Sequence, residues 1–119
     1  MIKVQQKIMV SVATQHEISR KQWESRGLIV FTGVGKINTC LNLYRAILDF
    51  KPTLVLNLGS AGSLKMELKG VVEVHSIIER DFNAFPICER GLVPFEDHKN
   101  KYSSGFDGVI CASGDSFVH

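Results

Sequence analysis

The stretch Thr53-Leu-Val-Leu-Asn-Leu-Gly59-Ser-Ala-Gly62 decides the fold. Its first six residues are nearly all apolar, as in a strand covered on both faces, and such strands belong to sheets with parallel neighbours. The small residues that follow end the strand and leave nothing bulky at its tip. Just upstream, Pro52 stops a helix that begins near Lys36. There Ile37, Cys40, Leu41, Tyr44, Ile47 and Leu48 recur at offsets of three, four, seven, ten and eleven, the spacing of one helical face. Gly33-Val-Gly35 separates that helix from Leu28–Thr32, which reads as a strand. Further back, Lys7–Ala13 reads as the first strand. Thr14, with Glu17 three residues on, fits a capping box for a short helix over Ile18–Glu24. Downstream, Val71–Ile78 and Gly108–Ala112 read as strands. Between them Arg80–Gly105 holds two of the three prolines and little periodicity, and is expected to be a long loop.

Strand, helix, strand, helix, strand is the order of an α/β domain. The expectation is a central mixed β-sheet flanked by helices, as one domain over residues 1–119. The chain stops at Val118-His119, directly after a strand-end turn and without the helix that would cover the sheet there. It therefore reads as the N-terminal part of such a domain. Composition agrees with a globular fold: 45% apolar and 22% charged residues exclude disorder along the whole chain. No apolar run approaches the length of a membrane span, and no signal-peptide core follows Met1. A net charge of +2 does not make nucleic acid the default partner. Cys40, Cys88 and Cys111 are odd in number and lack metal-type spacing, so reduced thiols in a cytoplasmic protein are expected, with no structural metal site.

In an open α/β sheet, ligands bind beyond the carboxyl ends of the strands. Four such ends carry unusual residues here: Thr14–Glu17, Gly33–Gly35, Gly59–Gly62 and Ser113–Phe117. Each has an ordinary structural account. Gly59–Gly62 is a tight turn, Gly33-Val-Gly35 a turn at a helix start, Glu17 a capping carboxylate, and Phe117 a core aromatic held by an Asp115 turn. Each also has a functional one. Small residues let a backbone approach a ligand, and Ser60 adds a donor and an acceptor. Glu17 can take a proton from water, and an aromatic at a strand end can stack on a planar base. Gly33-Val-Gly-Lys36 matches neither standard nucleotide motif, because Asn38 stands where a third glycine would be.

Taken in order, Val12-Ala-Thr-Gln-His-Glu17, Gly33-Val-Gly-Lys-Ile-Asn38, Asn57-Leu-Gly-Ser-Ala-Gly62 and Ser113-Gly-Asp-Ser-Phe-Val118 resemble the nucleoside phosphorylase superfamily. Within it they are most similar to the methylthioadenosine/S-adenosylhomocysteine nucleosidases. The resemblance runs from about Lys7 to His119. It implies hydrolysis of the N-glycosidic bond of a purine nucleoside, releasing adenine, in a cytoplasmic homodimer of methionine salvage without metal or organic cofactor. It places Glu17 as the group that activates water. Ser60, Ala61 and Gly62 would line the ribose and the water. Phe117 would stack on the purine, and the backbone of Val118 would read its edge. The loop around Pro94 would close a partner's site. The alternatives are a phosphate-dependent purine nucleoside phosphorylase and a non-catalytic, ligand-binding relative. An acid in the nucleophile pocket repels a phosphate dianion, which favours hydrolysis. The family's Met-Glu pair on the ribose hydroxyls and its purine-protonating aspartate have no counterpart in residues 1–119, so this chain alone is expected to turn over little or not at all.

Overall fold

The computed structural model describes residues 5–95, 102–103 and 108–118. Its elements are β1 (Ile8–Val12), α1 (Arg20–Trp23), β2 (Leu28–Phe31), α2 (Lys36–Phe50), β3 (Leu54–Leu58), β4 (Val74–Glu79), β5 (Tyr102–Ser103) and β6 (Val109–Ser113). They form a small α/β fold in two compact units, Met1–Gly62 and Ser63–His119. The strands make two three-stranded sheets, ordered β2-β1-β3 and β5-β4-β6. The first is wholly parallel and the second is mixed.

In the first unit β1 is the centre. Val12 pairs with Phe31 on one side and Leu58 on the other, so three carboxyl ends lie along one edge. Side chains alternate across a strand. Met9, Val10, Ser11 and Val12 are nevertheless all fully buried, so both faces of β1 are covered. The continuous apolar run of β3 raises the same expectation, and the structure corrects it. β3 borders the described ladder on one side only, and Leu54 and Val55 are exposed while Leu56 and Leu58 are half-buried.

Gly33 and Gly35, at φ +82° and +96°, turn the chain from β2 into α2, a conformation that side chains with a Cβ resist. Lys51, in the left-handed region at φ 49°, closes the helix, and its N–H donates to the Ile47 carbonyl. α2 packs against β2, but not with the expected face. Thr39, Leu43, Ala46, Ile47 and Phe50 are half-buried. Ile37, Cys40, Leu41, Tyr44 and Leu48 are exposed, Ile37 at 84%. Polar contacts turn the helix this way. Asn42 Nδ2 donates to the Thr32 carbonyl at 2.8 Å, and the Thr32 and Thr39 hydroxyls lie 3.4 Å apart.

In the second unit β4 is central. It pairs in parallel with β6, Glu79 opposite Ser113, and antiparallel with β5. β4 starts at Val74 rather than Val71, after Gly70 at φ +76°. β5 is a short strand inside the segment expected to be loop. Of that segment, residues 96–101 and 104–105 lie outside the described residues.

Candidate functional site

The parallel pairing of β1 and β3 brings the turns after Val12 and Leu58 to one edge. The chain leaves β1 for β2 on one side while β3 lies on the other, so the strand order reverses between β1 and β3. Such a switch point is where α/β sheets bind ligands. Glu17 and Ser60 meet there. The Ser60 N–H and hydroxyl donate to Glu17 Oε1 at 3.0 and 2.8 Å. The Thr14 N–H donates to Glu17 Oε2 at 3.1 Å. These donors, the Ser60 amide first and its hydroxyl next, hold the Glu17 carboxyl below its ordinary pKa of 4.5 against the opposing effect of partial burial. Glu17 is therefore a fixed carboxylate at neutral pH, half-buried and open to water.

The contact from Thr14 is half of the expected capping box, but no helix starts on it. α1 begins at Arg20 behind Ser19, and neither Thr14 nor Ser19 caps it with a side chain. Glu17 Oε1 is turned to Ser60 while Oε2 keeps the Thr14 contact, so capping alone does not describe the side chain. Gly59 lies beneath this contact, where an added Cβ would meet Glu17 Oε1 at 3.6 Å, an ordinary van der Waals distance. Ala61 and Gly62 continue the exposed turn beyond Ser60. His16 is exposed and lines a shallow hollow with Gln15, Ile18, Arg20 and Phe31.

Phe117 and Val118 belong to the second unit. Phe117 is 89% exposed and Val118 is exposed as well, so the reading of Phe117 as a core aromatic is corrected. The turn that carries them is held by residues the sequence reading passed over. Arg80 Nη2 donates to the Ser116 carbonyl and, at 3.3 Å, to its hydroxyl. The Asp115 N–H donates to Asp81 Oδ2, and Arg80 and Asp81 pair at 3.4 Å. One signal could have found them. β4 is parallel to β6, so Arg80-Asp81 is a strand end on the same edge, and the carboxyl-end rule covers it too.

The three cysteines are free thiols. Among the described residues no cluster of three or more His, Cys, Asp and Glu gathers as a metal site requires, and no helix is long and apolar enough to cross a membrane. No protein-family model matches the chain, and no curated protein matches it.

Proposed function

We propose that Glu17 and Ser60 form the water-activating half of a purine nucleosidase site, in a nucleosidase-like domain that hydrolyses the N-glycosidic bond of methylthioadenosine- or S-adenosylhomocysteine-type nucleosides and releases adenine. The observation that carries this reading is the Glu17 carboxylate, held in place by Ser60 and Thr14 at the β1/β3 switch point. In such a reaction positive charge develops on the ribose as the bond to the base lengthens, and a carboxylate on the far side takes a proton from the attacking water. Ser60 fixes the direction of that carboxylate. The Ala61 methyl and the bare Gly62 backbone would let the ribose approach. The motif resemblance assigns the stacking face for adenine to Phe117, exposed at a strand-end turn of the second unit, with the Val118 backbone at the base's edge. The motif resemblance supplies the substrate class, and with it the reading of the whole protein as a cytoplasmic homodimer.

The test is adenine binding and adenine release from methylthioadenosine by this chain, with and without phosphate. The expected result is adenine binding that Phe117→Ala weakens, and slow release that phosphate leaves unchanged and Glu17→Gln abolishes. Slow release is expected because the resemblance gives the group that protonates the purine no counterpart in residues 1–119, and general acid catalysis is typically worth about 10²–10⁴ in rate. Phosphate-dependent release would overturn hydrolysis in favour of phosphorolysis. Release indifferent to Glu17→Gln, or no adenine binding at all, would overturn the site.

A further inference from the structure

Ser113-Gly-Asp-Ser-Phe117 has the composition of a mobile turn, yet three side-chain contacts fasten it to the end of β4. The parallel register makes them possible. Glu79 lies opposite Ser113, and the Arg80 N–H continues the ladder onto the Ser113 carbonyl at 2.7 Å. The next side chains on β4's side therefore emerge beside the turn. Arg80 grips the Ser116 carbonyl and hydroxyl, and Asp81 accepts the Asp115 amide. The two grips are charge-assisted and act on consecutive residues, with the ion pair between Arg80 and Asp81 keeping them in register. Gly114 is part of the device. A Cβ there would run into the Arg80 guanidinium and stand 2.6 Å from Asp81 Oδ2, so any larger residue makes the pair shift off the turn. The Arg80 carbonyl in turn accepts from Arg90 Nε at 3.4 Å, and the Glu79 and Phe82 backbones exchange hydrogen bonds with Gly91, which seats the base of the clamp. Immediately after the gripped residues comes Phe117, exposed and without support from a core.

We infer that Arg80 and Asp81 are positioning residues that clamp the Asp115–Ser116 backbone and so fix Phe117 and Val118 as a preorganised shelf for a planar base. The inference rests on the reading of Phe117 as the purine-stacking residue. An exposed aromatic on a free turn loses affinity to the ordering that binding demands, and a turn already fixed avoids that loss. The clamp's contacts are to Asp115 and Ser116. Its removal therefore weakens base binding and leaves the hydrogen bonds of Glu17 with Ser60 and Thr14, which lie in the first unit, as they are.

The test has two readouts on the same chain, backbone amide NMR without ligand and the adenine dissociation constant. Arg80→Gln, Asp81→Asn and, without deleting a charge, Gly114→Ala are the variants. Expected are shifted, faster-exchanging amides at Asp115, Ser116 and Phe117, amides around Glu17 and Ser60 left in place, and adenine binding weakened about tenfold. Arg80→Lys restores part of both signals. Amides that stay put in all three variants overturn the clamp. Amides that move while adenine binds as tightly as before overturn its positioning role. If wild type and Phe117→Ala bind adenine equally, or neither binds, the purine reading has failed and the shelf's role falls with it, whereas the amide readout still separates that failure from failure of the clamp.

Discussion

Glu17 joins stability and chemistry through one carboxylate. Its partners are the Ser60 amide and hydroxyl and the Thr14 amide, all donors, so they favour the ionised form. A carboxyl whose pKa is lower in the folded chain than in the unfolded one stabilises the fold above the unfolded value, here 4.5. That contribution fades as pH falls through the lower, folded value. Glu17→Gln keeps the shape and loses the charge, and should cost about 1 kcal/mol at neutral pH, a modest figure because water reaches the site. Urea titrations of both proteins at neutral and strongly acidic pH check this. The gap between them should narrow on the acid side, and a gap constant with pH would show that the charge is not what Ser60 and Thr14 stabilise. The same substitution removes the proton acceptor, so activity and neutral-pH stability should fall together, whereas Phe117→Ala should lower adenine binding alone.

The elements test how closely the strands approach one another. Gly27 leads into β2, and a Cβ there would stand 2.5 Å from the Ile8 carbonyl oxygen at the start of β1. That atom is backbone in a paired strand, so it cannot swing away. Gly27→Ala should cost about 1–3 kcal/mol, the usual range for overpacking, while Gly62→Ala, which meets open space, should cost far less. Thermal or urea unfolding of the two variants ranks them, and equal costs would mean that β1 and β2 part readily. Most elements were legible in the sequence because breakers frame them. β1, β2, α2 and β3 appear within a residue or two of where the Gly33-Val-Gly35 turn, the helical spacing and Pro52 put them. Contacts that no local pattern encodes were not legible. α1 starts at Arg20 although Glu17 Oε2 accepts from the Thr14 N–H as a capping box would have it, while Oε1 serves Ser60. β5 exists through antiparallel pairing with residues far away in sequence. α2 offered two stripes that can face a sheet, and counting apolar residues picked the wrong one, since Thr39 and Asn42 reach Thr32. The Glu17–Ser60 pair was half legible: each residue stood out at a strand end, but only the parallel register of β1 and β3 brings them together. Arg80 and Asp81 were lost because that segment was read as loop.

At the scale of the whole molecule, apolar surface stays uncovered in both units. On α2 the exposed stripe is Ile37, Leu41, Tyr44 and Leu48, and β3 adds Leu54 and Val55. In the second unit Val74 and Ile77 of β4 and Ile110 of β6 are exposed. Contiguous apolar patches on a soluble chain drive association, and a net charge of +2 supplies little repulsion against it. The chain should therefore self-associate, with a mass-average above 13.3 kDa that climbs with protein concentration. Sulfate should strengthen the association, because it is excluded from protein surface and favours apolar burial, whereas an association held by ion pairs would weaken as salt rises. The stripe on α2 is the most concentrated of these surfaces, and glutamine is a good helix former that leaves the backbone undisturbed. Ile37→Gln, Leu41→Gln and Leu48→Gln together should lower the mass measured by light scattering or sedimentation while leaving the unfolding transition in place. An unchanged mass would clear α2 and direct the same substitutions to the exposed residues of β3, β4 and β6.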